Sequence, residues 1–401
     1  MRVLLVGSGA REHALAWRLA QSPSLTALHA APGNPGIATL GDCHPVRADD
    51  GDGLLGLART VAADLVVIGP EAPLVAGVAD ELRHGGVAVF GPGAEAARIE
   101  GSKGFAKEVL RAAGVPTAAT LAVAKAPCVV KADGLAAGKG VYVCHTAQEL
   151  DAGLRAAAAL GDAFLVEELL EGREVSLFAL SDGRRAVPLG AAQDFKRADD
   201  GDAGPNTGGM GAYSPVAWLG DPAALVEEIH QPVVDELARR GAPFVGCLFA
   251  GVMVTAAGPR VLEFNARFGD PETQVLVPRL EGDLLEALAA AAHGGSAEPG
   301  LREREEAAVT VVLTGPDYPT RSDYTGVAID GLPAAEAAGA LVFHGGTAVR
   351  EGRLVTNGGR ILSVTALGST VAEARERAYG AVAKVSFEGA RFRSDIAAVA
   401  G

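Results

Sequence analysis

The stretch that most restricts what this chain can become is residues 129–141, VVKADGLAAGKGV. It reads as a buried strand, a glycine-rich hairpin loop and a second strand, with Lys131 placed where a solvated face is not expected. Gly134, Gly138 and Gly140 carry no Cβ, so the loop can turn its N–H groups toward an anion. Leu135 is the only bulky apolar side chain in the loop, which can therefore lie flat over a ligand. Lys139 adds a mobile positive charge at its far end. Two lysines over a cradle of amides suit a polyphosphate. The Walker pattern is absent, because Gly140 and Val141 follow Lys139 and residues 141–144 read as extended. A solvated glycine-rich hairpin is the plainer alternative. The chain, however, holds only seven lysines, five of them between Lys103 and Lys139. Arginine decorates the remaining surface, so lysine at Lys131 and Lys139 marks a task.

With 401 residues the chain has room for two to four domains and ample core. Hydrophobic residues make up 49% and charged ones 21%, yet no apolar run approaches the ~20 residues of a membrane span. Met1-Arg2 leads directly into a strand, so no secretory leader is expected. A net charge of -14 argues against nucleic acid or an anionic membrane as partner, though not against a locally held anion. Cys43, Cys128, Cys144 and Cys247 show no C-x-x-C spacing, which suggests neither zinc nor a disulfide framework. A cytoplasmic protein acting on small molecules is expected.

Residues 3–7 (VLLVG) form an apolar run of the kind buried in parallel sheets. Residues 11–21 then read as a helix, with Ala14, Leu15, Arg18 and Leu19 at helical spacing. Strands at 28–31, 65–68 and 87–90, with helices between them, predict a doubly wound α/β layer. Gly7-Ser8-Gly9 opens like a dinucleotide fingerprint, but Glu12 occupies the third glycine position. The loop still opens a helix N-terminus beside Arg11 and His13, which suits one phosphate. Gly69-Pro70-Glu71 follows another strand's C-terminal end, where ligands of such sheets sit; it also reads as an ordinary turn.

Residues 94–113 carry a helical period broken at Gly101-Ser102-Lys103-Gly104, with Ser102 as N-cap. Lys103 in the first turn opposes the helix dipole, which points to an anionic ligand; a solvated first-turn lysine is the plainer alternative. Residues 164–170 (FLVEELL) form a strand ending in two carboxylates, and residues 174–178 read as its partner. Acidic residues there can be solvated edges, or can accept from ribose hydroxyls. Residues 193–214 form the longest loop-like stretch, and loops of this length are usually functional or disordered. Asp199, Asp200 and Asp202 invite a calcium reading, but the spacing lacks the terminal glutamate of an EF-hand. Asn206-Thr207-Gly208-Gly209 looks like backbone that approaches a ligand closely.

Residues 261–273 (VLEFNARFGDPET) are the second decisive stretch. On a strand, Glu263 and Asn265 share one face with Arg267, opposite Leu262 and Phe264. Two oxygen donors so spaced form a hard-cation site suited to Mg²⁺ bridged by nucleotide phosphates. Arg267 is placed for a carboxylate or a transferring phosphoryl group. The remaining chain predicts an alanine-rich helix at 284–293 and a mostly β segment from 309 to 367. A helix over 371–385 closes it, and residues 356–360 (TNGGR) read as a hairpin turn.

A lysine-bearing strand, glycine-rich flap, acidic strand and late E-x-N strand, in this order, resemble an ATP-grasp ligase. GSGAREHALAW, APGNPG, GPEAPLVAG, EGSKGFAKE, KADGLAAGKGV, GPNTGGMGAYSP, EFNARFGDPETQ and VTNGGR together resemble the phosphoribosylamine–glycine ligase (glycinamide ribonucleotide synthetase) family. The likeness runs from Val3 to about Asp395. It implies an α/β ATP-grasp fold with an N-terminal doubly wound parallel-sheet domain, a small flap subdomain and a C-terminal α+β cap. The implied boundaries are 1–100, 101–295 with the flap at about 117–185, and 296–401.

The resemblance further implies that the glycine carboxylate is joined to 5-phosphoribosylamine while ATP becomes ADP and phosphate, in de novo purine biosynthesis. An acyl phosphate would form first. Lys103 and Lys131 would then contact ATP phosphates under the Gly134–Gly140 flap, including Gly138 and Lys139. Glu167, Glu168 and Leu169 would flank the adenine edge, and Glu174 would hold the ribose. Glu263 and Asn265 would ligate Mg²⁺ or Mn²⁺. Arg267, Asp194, Lys196, Asn206, Thr207, Gly208, Gly209, Asp270, Pro271 and Glu272 would border the acceptor substrates. The loop with Gly9 and Arg11 would take the phosphoribosyl phosphate. Arg267 and Lys131 are the expected catalytic groups, acting by position and charge rather than as general bases. A monomer is expected, with a weak dimer as the alternative, and no further pathway domain after Gly401.

Two departures stand out. Phe195 occupies a position where the family commonly has histidine, and residues 117–129 leave little room for the helix that usually precedes the flap. The rival readings are a sister ATP-grasp ligase or carboxylase, a nucleotide-binding regulator without turnover, and a Rossmann oxidoreductase.

Overall fold

Parallel pairing organises the first hundred residues of the computed structural model, which describes residues 1–135, 140–161, 163–296 and 300–398. Five parallel strands lie in the order Asp42–Cys43, Ala27–Pro32, Arg2–Gly7, Leu65–Ile68, Val89–Phe90. Val3, Leu4, Leu5 and Val6 are wholly buried, as expected of a strand covered on both faces. Gly7 and Gly69 end neighbouring strands because Glu12 folds between them. A Cβ would sit 2.5 Å from Glu12 Cγ at Gly7 and 2.1 Å from Glu12 Oε1 at Gly69.

Ser102 separates the helices Ala94–Gly101 and Lys103–Ala113, and its hydroxyl caps the second by accepting from Phe105 N. The flap follows as an antiparallel sheet in the order Val141–Cys144, Cys128–Ala132, Phe164–Glu168, backed by the helix Ala147–Leu160. It has its own small core of Cys128, Val130, Ala132, Cys144, Leu150, Ala157 and Val166.

Eight antiparallel strands form the central sheet, in the order Gly258–Asn265, Val245–Thr255, Arg173–Asp182, Ala186–Asp194, Gly211–Ser214, Ala307–Thr314, Arg360–Gly368, Leu341–His344. The helices Pro222–Arg239 and Leu284–Ala292 pack against the strand Arg173–Asp182, and Val371–Val382 covers the far end.

Three local expectations are corrected. Residues 164–168 and 174–178 are not partner strands: the first pairs within the flap, the second lies inside the central sheet with neighbours on both sides. Residues 356–360 are not a hairpin turn. Gly358 closes the strand Arg353–Gly358 of a small three-stranded sheet, and Arg360 opens the central-sheet strand Arg360–Gly368. Residues 193–214 are not an open loop either. They hold a two-stranded ribbon, Arg197–Asp199 with Ala203–Asn206, and then a central strand. Its aspartates bind the chain's own end: Asp199 pairs with Arg391, Asp202 with Arg393, and Asp200 accepts from Ser394 N. After residue 300, Ala307–Thr314, Arg360–Gly368 and Leu341–His344 extend the central sheet, so the C-terminal region is continuous with it.

Candidate active site

Three elements bring charged side chains together. Lys131 comes from the flap strand Cys128–Ala132, Lys103 from the first turn of the helix Lys103–Ala113, and Glu263 with Asn265 from the strand Gly258–Asn265. The Lys131 ammonium crosses from the flap to the central sheet. It donates to Leu262 O at 2.8 Å, beside Glu263, and pairs with Glu167 Oε2 at 2.8 Å. Lys103 Nζ donates to Gly134 O at 3.1 Å, while the Asp133 carboxylate accepts from Lys103 N, so the flap's first turn is tied to the helix start. Burial lowers the Lys103 ammonium, against the pull of Glu263 and Asp133. That cost is consistent with a cation held ready for an anion.

Burial alone would raise Glu263; Lys196, Lys131, Lys103 and Arg267 around it lower its carboxyl instead. An ionised carboxylate and the Asn265 amide oxygen are hard donors, of the kind that would suit a divalent cation. Arg267 is clamped. It donates from Nε to Glu71 at 3.1 Å, from Nη1 to Phe268 O at 3.1 Å and from Nη2 to Asn265 Oδ1 at 3.3 Å, and pairs with Glu100 at 3.2 Å. Against the upward push of burial, Arg267 and Arg11 hold the Glu71 carboxyl down to about 2.

Beside this cluster lies a second one. Lys196 pairs with Glu174, and Ser176 Oγ donates to Glu272 Oε1 at 3.2 Å. Burial raises Asp194 to about 8 in spite of Lys196, with Glu272 and Glu174 adding to the rise. Burial alone would lower the Lys196 ammonium, but Asp194, Glu174 and Glu263 raise it well above its ordinary value. Phe195 between them packs under the Arg393 guanidinium, 5.1 Å from its ring centre.

The structure redirects several expected contacts. Glu167 is 2% exposed, and both of its oxygens bind lysines, Lys107 and Lys131, each at 2.8 Å. Both of its carboxylate oxygens are thus engaged within the protein. The Glu168 carboxylate accepts from Ala119 N at 2.8 Å. At Gly208 and Gly209 the close approach is to protein: added Cβ atoms would lie 3.0 Å from Arg360 Cζ and 2.3 Å from Pro271 Cδ. At the first loop, Glu12 Oε2 accepts from Gly9 N at 2.7 Å, and Arg11 Nε pairs with Glu12 at 2.6 Å. A carboxylate thus stands where a dinucleotide's pyrophosphate would sit, which removes the oxidoreductase reading. The single phosphate predicted at this N-terminus meets the same obstacle at Gly9. Gly140 O accepts from Ala132 N at 2.8 Å, whereas Gly138 and Lys139 lie outside the described residues.

Next to Gly9 opens a cavity of about 590 Å³, lined by Ser8, Asn34, Asp270, Thr347 and Arg360 among others. Arg360 donates from Nη1 to Asp270 O at 2.8 Å and from Nη2 to Asp270 Oδ2 at 3.0 Å. Sequence reasoning missed Arg360, because TNGGR reads as a turn, and Glu71, because GPEAP reads equally as one. It also missed Glu100 and Lys107, although Lys107 lies one helical turn beyond Lys103 on the same face.

Comparison with known proteins adds an independent finding. Residues 1–100, 101–273 and 308–399 match the N, ATP-grasp (A) and C domain models of phosphoribosylglycinamide synthetase. The chain is 53% identical to a phosphoribosylamine–glycine ligase of Streptomyces coelicolor, over 100% of this chain and 99% of that protein. It is 49% identical to one of Mesorhizobium japonicum, over 99% and 97%. A crystal structure of phosphoribosylamine–glycine ligase from Thermotoga maritima superposes with TM-score 0.84 at 35% identity, covering 99% of this chain and 100% of that one. The biotin carboxylase domain of 2-oxoglutarate carboxylase from Hydrogenobacter thermophilus shares the fold, with TM-score 0.69 at 16% identity over 97% and 91%.

Proposed function

The chain belongs to the phosphoribosylglycinamide synthetase family, ATP-dependent ligases of purine biosynthesis that join glycine to 5-phosphoribosylamine, and we propose how its residues divide that work. The observation that carries the assignment is the convergence of Lys103, Lys131, Glu263 and Asn265 from three separate elements. Lys103 and Lys131 take the ATP phosphates, the backbone near Leu169 reads the base, and Glu174 faces the ribose. Glu263 and Asn265 would hold Mg²⁺ or Mn²⁺, which would supply positive charge against the polyphosphate.

A carboxylate oxygen of glycine forms a bond to the γ-phosphorus as the bond to the β-phosphate bridge breaks, and ADP departs. The amine of phosphoribosylamine then attacks the acyl carbon and phosphate leaves. Arg267, fixed by Glu71 and Glu100, presents fixed positive charge beside the transferring group. Asp194, Lys196 and Glu272 line the acceptor side. Burial, with Glu272 and Glu174 adding to it, disfavours the ionised form of Asp194 on this side. The cavity of about 590 Å³ beside Gly9 receives the phosphoribosyl group, with Arg360, which donates to Gly208 O, at its wall. We assign residues 1–100 to the parallel-sheet unit, 101–295 to the ATP-grasp unit with the flap at about 117–185, and 296–401 to the C-terminal α+β unit. We further read the chain as a cytoplasmic monomer, in keeping with diffusible substrates and four free cysteines. No helix among the described residues is long and apolar enough to cross a membrane.

The test is a substrate-omission assay that follows ADP and amide together. ADP should form in bulk only with ATP, glycine and phosphoribosylamine all present. Glu263→Ala should lose it while keeping its melting transition. Equal turnover with another acid–amine pair, or normal ADP formation by Glu263→Ala, would overturn the assignment.

A further inference from the structure

Lys107 is a buried lysine for which the reaction has no evident use. It is 8% exposed, and three oxygens surround its ammonium: Thr117 Oγ1 at 2.8 Å, Ala118 O at 2.6 Å and Glu167 Oε1 at 2.8 Å. All three of its hydrogens are thereby used. The other oxygen of Glu167 binds Lys131. Among the described residues Lys131 has two partners, Glu167 and the Leu262 carbonyl, which leaves one ammonium hydrogen for an anion.

The charge arithmetic gives this chain of contacts a purpose. Lys131 and Glu167 alone would form a neutral buried pair with little attraction for a triphosphate. A second lysine on the far side of the carboxylate restores a net positive charge and divides the carboxylate's hold between two ammoniums. Thr117 extends the chain, donating to Val261 O at 2.6 Å, so helix, flap and metal-bearing strand meet at one point.

We propose that Lys107 is a positioning residue for nucleotide binding: by sharing Glu167 it keeps Lys131 charged toward the phosphates and seated against Leu262 O. This rests on the reading of Lys131 as a phosphate ligand. The test measures ATP binding by titration calorimetry without glycine, KM for each substrate, and thermal melting. Lys107→Met should weaken ATP binding roughly tenfold and leave KM for glycine within about twofold. Lys107→Arg should stay near the native value. The double variant Lys107→Met with Glu167→Gln should recover most of the loss, because removing the carboxylate frees Lys131 again. A merely structural lysine would show no such rescue. Lys107→Gln, which keeps a donor for Thr117 but no charge, supplies the same reading if Lys107→Met does not fold. Native-like ATP binding by the uncharged variants, or a double variant as weak as the single, overturns the inference. Lys131→Met with undiminished ATP binding would instead overturn the reading beneath it.

Discussion

A neutral histidine ties the first helix to the C-terminal strands. His344 N donates to His13 Nδ1 at 2.9 Å, and His344 Nδ1 lies 3.1 Å from Thr347 Oγ1. Burial, with His344 adding to it, lowers His13 to about 3, and burial lowers His344 to about 4. Both stay uncharged in the folded chain and take a proton near their ordinary value when it unfolds. Their stabilisation is complete above that value and falls away as pH drops from it toward the folded values. At pH 5 the loss is about 2 kcal/mol per histidine. Melting should therefore fall between pH 7 and pH 5, and His13→Gln, which keeps an acceptor, should flatten that slope. An identical slope in both proteins would contradict this account. Side chains of this kind are hard to read in advance. Arg11 and Glu12 were legible as unusual residues in a glycine loop, but not as partners of each other that close it to a dinucleotide.

At the scale of elements, the flap is the part held by least. Its small core includes Leu150, which packs with Cys144 and Val166 and is 8% exposed. Leu150→Ala should cost roughly 2–5 kcal/mol within the flap. Because the flap has a core apart from the central sheet, the cost should appear as faster amide exchange across 128–168 and a raised KM for ATP. A uniform rise in exchange across the central sheet, with the flap no worse than the rest, would argue against a separately opening flap. Much of this element was legible: the strands at 128–132 and 141–144 follow from valines, glycines and two lysines in thirteen residues. The pairing of its third strand was not. Residues 164–168 and 174–178 are neighbours in sequence and belong to different sheets, a choice made by burial rather than by either segment's own pattern.

Across the whole molecule, the C-terminal segment is fastened to the ribbon of residues 197–206. Arg393, 2% exposed, pairs with Asp395 at 2.7 Å and with Asp202 at 3.3 Å, and donates to Arg197 O at 3.1 Å. Asp202 is exposed and the network is partly screened, so Arg393→Ala should lower stability by roughly 2 kcal/mol. The denaturant midpoint should drop, with ADP formation much less affected below it; an unmoved midpoint would show the fastening to be incidental.

The chain's local chemistry was enough to mark its parts. Apolar runs closed by glycine, the Ser102 cap between two helices, the lysine-bearing loop and the alternation of Glu263 and Asn265 act over a few residues, through dihedral preference and period. The order of those motifs was enough for the family. Other features depended on contacts between positions far apart in sequence. Strands 307–314 and 360–368 extend the central sheet, Glu167 lies between two lysines, Arg267 is locked by Glu71 and Glu100, and the acidic ribbon grips the chain's own end. Each of these depends on which groups burial forces to share one space, and a charge or strand carries no local sign of the partner it will meet there.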